Sequence, residues 1–300
     1  MAVMILDRIS HLVKSINDGW KAGTEASVQV PNGVFGRIGK IESGGVKIDA
    51  ATLDVEWDIP FDDDVMANEG EIIIYNLSKT TIQALKQNNP ITVEAGYKND
   101  TGLIFDGIIR KVTTKREGVD KKTTIKVVDD VSREEKKITN VTFQKGTKAS
   151  YILRNLINRV SLPCAVFSVK RDHTYKDEVK IDGDLFDNIK KYAEVCGISV
   201  YINKRKIYAR HLKDGDNIEF TVNAKTGLIN SPEEFEDEIT AEDYTDKIKG
   251  CNFSMLLQHR ITTAAIINLD SANLKGKFRV RSGRHIFNRD EAITEVEAIE

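Results

Sequence analysis

The sequence predicts an α+β fold that is mainly β, with β-rich regions on either side of a small α/β insertion and an amphipathic helix leading the chain. Three observations predict it. Glu71 to Gly107 read as strand, short helix, strand, turn and strand in immediate succession. Residues 148–196 carry two amphipathic helical stripes, and Phe220 and Val222 then restart a β pattern. At 300 residues there is room for two or three domains, and a hydrophobic content of 40% is ordinary for a packed core.

The first element is helical. Ile5, Ile9, Leu12, Ile16 and Trp20 recur at steps of three or four, with Leu6 and Val13 beside them, which predicts a helix within residues 1–22. Its stripe either packs on its own domain or docks on a partner, so these five residues are interface candidates. Residues 23–45 are glycine-rich without strong periodicity and read as a linker that tethers the helix.

A β region is expected over 46–135, opened by Ile48, Leu53, Val55 and Trp57. The run Asp62-Asp63-Asp64 lacks the alternate spacing of a calcium loop, and a solvated loop between strands accounts for it. Facing a central channel, such a loop would discourage DNA from sticking to the wall. Glu71 to Tyr75 read as a buried strand, Asn76 and Ser78 offer capping oxygens, and Thr80 to Lys86 fit one or two helical turns. Pro90 bars continuation, and Ile91, Val93 and Ala95 alternate as a strand should. Lys98-Asn99-Asp100-Thr101-Gly102 has hairpin-turn chemistry, and Leu103 to Ile109 return. A second hairpin turns around Glu117-Gly118-Val119-Asp120. Several short strands with one small helix imply a closed or nearly closed barrel.

The α/β module is expected over 136–215. Ser132 to Asn140 read as a charged link. Ile152, Leu153, Leu156, Ile157 and Val160 share one face of a helix from Lys148 to Val160, with Ser150 or Thr147 as N-cap. Phe167 and Val169 suggest a short strand, and Ile181 to Phe186 a turn. Leu185, Ile189, Tyr192, Ala193 and Cys196 form a second stripe that Gly197 closes, before a hairpin over Asn203-Lys204-Arg205. Beyond Val222, Thr226 to Pro232 read as a turn and Glu233 to Asp246 as a solvated acidic loop.

The order IYNLS…T…L…PITVEAGY…IFDGII, between Ile74 and Ile109, resembles the first barrel of phage baseplate hub proteins of the late-control-protein-D type. Three further pieces resemble that family in the same order: "S.IL..L" followed by "G.LFD.I…A…G…Y", then "TGL…P", then an ending "G.yrV…H……te.e.i". The resemblance spans roughly Ile48 to Ile299. It implies two tail-tube-like β-barrel domains, 46–135 and 216–300, around the α/β insertion. Gly250 to Arg260, Ile261 to Leu269 and Lys277 to Arg284 would supply later strands of the second barrel, with a turn at Asn273 to Gly276.

The family's proteins form homotrimers whose paired barrels make a pseudo-hexameric ring, so a six-fold tail tube sits on a three-fold central spike. The resemblance therefore implies a structural baseplate hub in the virion tail or a phage-like particle, assembled in the bacterial cytoplasm. Its partners would be the tail tube, central spike, other baseplate proteins and tape measure protein. Tyr75, Asn76, Leu77 and Ser78, at the strand-to-helix junction, and Asp62 to Asp64 join the five helix residues as interface candidates. Some relatives are fused to a spike or cell-wall hydrolase. With the chain ending at Glu300, such a part is expected on another polypeptide. The alternatives are a distal-tail or tube-initiator ring, or a cell-wall-binding or hydrolytic tail protein.

Composition narrows the remaining classes. Lys plus Arg number 44 against 46 Asp plus Glu, a net of −2, which gives no general attraction to nucleic acid or membrane surfaces. Cys164, Cys196 and Cys251 are odd in number and far apart, so neither a disulfide framework nor a structural metal is indicated. No apolar run approaches the roughly 18 residues of a membrane span, and charges at Asp7, Arg8 and Lys14 interrupt any signal-peptide core. His11, His173, His211, His259 and His285 fall in different expected elements, and no nucleophile elbow or phosphate loop occurs. Gly33, Gly36 and Gly39 lack the strand and helix context of one. No catalytic residue, cofactor or metal is expected, and His285 reads as a strand or interface histidine.

Overall fold

The computed structural model describes residues 36–129, 137–241 and 244–300, the side chains of 238–246 apart. These residues fall within one compact unit, Gly33–Glu300. The helix expected within 1–22, and with it Ile5, Ile9, Leu12, Ile16 and Trp20, lies outside the described residues.

The first region is β1 (Arg37–Ser43), β2 (Val46–Asp49), β3 (Val55–Phe61), β4 (Glu69–Tyr75), helix α1 (Lys79–Ala84), β5 (Pro90–Tyr97), β6 (Asp100–Glu117) and β7 (Asp120–Val128). They run antiparallel in the order β3-β4-β7-β6-β5-β1-β2. The expected linker 23–45 is corrected here, because residues 37–43 form β1, which pairs with both β5 and β2. Its pattern was hidden because Gly39, Ile41 and Ser43 point inward and only one is a large apolar residue. Gly39 makes room for Trp57, whose ring would stand 2.6 Å from a Cβ there. The β4–α1–β5–β6 order and both hairpins follow the sequence expectation. Ser78 caps α1 by accepting the Thr81 N–H.

The middle region comprises β8 (Lys137–Phe143), α2 (Ala149–Ile157), β9 (Cys164–Phe167), β10 (Val179–Asp184), α3 (Leu185–Val195), β11 (Ser199–Asn203) and β12 (Lys206–Arg210). The two helical stripes face each other: Ile152, Leu153, Leu156, Ile157 and Val160 meet Leu185, Ile189, Tyr192, Ala193 and Cys196 in one core. Three local expectations are corrected. Residues 137–140 of the expected link belong to β8, which pairs with β10. The turn expected at Ile181 is the end of β10, bulged at Gly183, after which Asp184 caps α3. Helix α2 has Lys148 at its N-cap with no side-chain cap. Asp172 takes over by accepting the N–H and hydroxyl of Ser150 at 3.0 and 2.6 Å.

The last region holds β13 (Asp216–Val222), β14 (Glu233–Ala241), β15 (Tyr244–Leu256), β16 (Ala265–Asp270), β17 (Lys275–Phe287) and β18 (Ala292–Ile299). The acidic loop expected over Glu233 to Asp246 is corrected, since it is mostly β14 and the start of β15. Cross-strand lysines offset its charge, with Glu236 3.4 Å from Lys249. Strands run β14-β15-β18-β17, with β16 and then β13 beyond. A 3-10 turn, Ala224–Thr226, is fixed by an Asn223 capping box and by Gly227 at φ 103. It returns the chain from β13 to β15, where Leu228 bridges Met255, so the sheet curls around its own core.

Strand β17 joins the two β regions. Its first part pairs with β16 and its last part, Gly283 to Phe287, pairs with Phe61 to Trp57 of β3. The result is one 13-stranded sheet. Trp57 and Phe287 stack across this seam at 4.2 Å.

Candidate functional site

The loop after β3 is where the first region, the α/β module and the last region meet. Asp62 and Asp64 shape it locally, the Asp64 N–H donating to Asp62 Oδ1 at 3.1 Å and the Val65 N–H to Asp64 Oδ1 at 2.6 Å. Thr263 donates its hydroxyl to the Asp62 carbonyl at 3.1 Å, and Ser199 donates to that of Asp63 at 2.8 Å. The Asp63 carboxylate accepts from Arg279 Nη1 at 2.8 Å, with side chains 13% and 2% exposed. Such a pair fixes relative position because either charge alone would be buried uncompensated.

Around this loop opens a cavity of ≈ 640 Å³. Its lining includes the acidic residues Asp62, Asp63, Asp64, Glu194, Asp237 and Glu297 together with the apolar Val200 and Phe235. Arg281 reaches three of these acids, at 3.9 Å from Asp63, 3.2 Å from Asp237 and 3.4 Å from Glu297. Burial raises the Asp62 pKa above the usual carboxylate range; the Asp64 N–H opposes this, and Asp64 and Asp63 reinforce it.

Behind the loop, Arg210 donates from Nε and Nη2 to the Tyr201 hydroxyl at 3.0 and 2.6 Å and pairs with Asp216 at 2.8 Å. Arg279 lies 5.9 Å from the Tyr201 ring centroid and donates to the Asp214 carbonyl. Burial pushes the Tyr201 phenol up to about 12, so it stays a neutral acceptor. The Arg210 hydrogen bond, ahead of the opposing effect of burial, holds Asp216 below the usual range.

A second seam gathers His259, His285, Lys204, Arg260 and Asp100. Arg260 grips both Asp100 oxygens at 2.6 Å, while Lys204 donates to the Leu103 carbonyl at 2.7 Å. His285 in β17 is 1% exposed, shares a 3.0 Å hydrogen bond with Thr294 and tilts against Phe61. Its pKa is pushed down to about 3, first by burial and then by Lys204. Burial also lowers that of His259, 3.8 Å from Asp100. The sequence order separates these histidines and hides the carboxylate that folding brings to His259.

The site residues expected from sequence separate accordingly. Asp62 to Asp64 form a tied junction rather than a free loop, and only Asp64 of the three is exposed. Leu77, an interface candidate, is 2% exposed and belongs to the first core. Asn76 takes φ 59; its side chain bonds Asp120 and the Lys121 N–H, which pins the β6–β7 turn. Ser78 is an exposed cap and Tyr75 a half-buried strand end. Arg279, Arg281, Tyr201 and Arg210 were missed: the Asp63 partner of the first two lies far away in sequence, and Tyr201 and Arg210 meet through the β11–β12 hairpin with no local spacing that marks an ion pair. Arginines spaced by two on a strand carry no signal of burial.

No protein-family model matches the sequence, and no curated protein does. The structure is similar to the tail protein from Neisseria meningitidis MC58, with a TM-score of 0.61 and 10% identity over 89% of this chain and 97% of that one. It is similar to the 43 kDa tail protein of prophage MuSo2 from Shewanella oneidensis, at 0.58 and 8% over 87% and 97% of the two chains. A third similar structure is the E. coli c3393 protein, a type VI secretion component with structural similarity to the T4 tail proteins gp27 and gp5. It gives 0.56 and 10% over 86% and 76%. The mainly β architecture with its large antiparallel sheet is thus the fold of phage tail proteins.

Proposed function

We propose that the chain is a structural baseplate hub of a phage or phage-like tail. Three copies join the six-fold tail tube to the three-fold central spike and form part of the channel. The observation that carries this reading is near full-length likeness to tail proteins in a chain whose described residues place antiparallel strands on either side of an α/β module. Two tube-like units per chain turn three subunits into a six-lobed ring. The similarity to c3393, itself similar to gp27 and gp5, supports the same reading. The β3–β17 ladder and the Asp63–Arg279 pair make the two regions one body, which suits transmission of a fixed symmetry.

On this reading the protein works without catalysis. It meets the tail tube on one side, the spike on the other, and further baseplate proteins and the tape measure at its margins. The stripe Ile5, Ile9, Leu12, Ile16 and Trp20 is a docking element for one of them. Native mass spectrometry of the chain mixed with the tube and spike proteins of the same particle tests this. Three copies per spike trimer are expected. Six copies with no spike contact would point to a distal-tail or tube-initiator ring and overturn the hub reading.

A further inference from the structure

Among the free strand edges of the described residues, two are rich in charge and of opposite sign. Strand β6 pairs with β5 only as far as Ile108, and the Asn88–Asn89 loop bonds Ile109. Among the described residues, Arg110 to Glu117 then have β7 on one side and no strand on the other. This stretch carries Arg110, Lys111, Lys115 and Arg116 against Glu117 alone. Lys111, Lys115 and Arg116 are exposed, and so is Val119 at the hairpin tip.

At the far end of the sheet, β14 pairs with β15 and, among the described residues, with no other strand. Eight of residues 233–246 are acidic and none is basic. Glu233, Glu234 and Glu236 are exposed. The β14 edge is 9 residues long, close to the free length of β6.

Charge on an edge strand ordinarily prevents pairing. Here each edge repels its own kind but attracts the other, which disfavours a two-fold dimer and favours head-to-tail addition. We infer that the free edge of β6 (Arg110 to Glu117) pairs with β14 of a second copy of this chain, extending the sheet from subunit to subunit. Main-chain hydrogen bonds supply the affinity, and the lysine, arginine and glutamate side chains select the partner edge. The inference rests on the ring reading for its partner, a second copy, and adds the two surfaces that meet.

Sedimentation velocity of the full chain in low and high salt tests it, using two triple variants and their combination. Lys111→Glu/Lys115→Glu/Arg116→Glu makes both edges acidic, and Glu233→Lys/Glu234→Lys/Glu236→Lys makes both basic. All six positions are exposed, and circular dichroism checks that each variant folds. The wild type is expected to self-associate in a salt-sensitive way. Each triple variant should weaken association about tenfold or more, while an equimolar mixture of the two, and the six-site swap, should restore it. Association unchanged in both triple variants would overturn the edge contact and leave the ring reading intact. A wild type monomeric at every salt concentration would also overturn it, leaving the hub reading to be judged by its stoichiometry on the spike.

Discussion

Single buried groups hold the seams of this protein, and their chemistry sets its response to pH. His285 titrates near 3 in the folded chain and near 6.5 when unfolded, so between those values the unfolded state binds more protons. Its contribution to stability is therefore complete above about pH 6.5 and falls as the pH drops towards 3. Between pH 7 and pH 5 the loss amounts to about 2 kcal/mol. Urea unfolding of the wild type and His285→Gln at both pH values should show a wild-type difference larger than the variant's by about that amount, since His259 and Asp62 titrate in both. Asp63 gives a second test. Asp63→Ala strands the buried Arg279 and should cost about 3–5 kcal/mol, while Asp63→Ala/Arg279→Met should recover a large part of it. Equal losses in the single and double variants would show that the pair is not what holds the junction.

At the level of elements, local chemistry decides what the sequence reveals. The β4–α1–β5–β6 unit is readable because Ser78, Pro90 and the Lys98–Asn99 turn punctuate strands of clear alternation. Both helices of the module are readable from their stripes, and all five apolar residues of each are buried. Strand β1 is not, since two of its inward positions hold Gly39, which accommodates Trp57, and Ser43. Strand β14 is not, because its acidic run resembles a solvated loop until the lysines of β15 come alongside. The long-range partners of Asp63, His259 and His285 are set by topology and leave no trace in local spacing. The β11–β12 hairpin adds a prediction. Lys204 and Arg205 both take positive φ, 48 and 58, a conformation that suits glycine or asparagine far better. Arg205→Gly should therefore stabilise the protein by about 1 kcal/mol, read as a shift in the urea midpoint. A loss of stability would mean that the Arg205 side chain contributes more than its backbone strain costs.

At the level of the whole molecule, the two β regions join through β3 and β17 into one sheet, and the α/β module is tied to the first by Ser199 and Lys204 and to the last by Thr262, which donates to Asn203 at 3.2 Å. On the hub reading proposed above, the two joined β regions supply two lobes per chain, which is what a three-fold ring needs to mimic six-fold symmetry. The measurement that tests this most directly is electron microscopy of rings assembled from the purified chain, averaged without imposed symmetry. The hub account predicts three-fold rings with six lobes around a central channel. Six-fold rings with twelve lobes, or a chain that forms no ring either alone or on its spike, would contradict it.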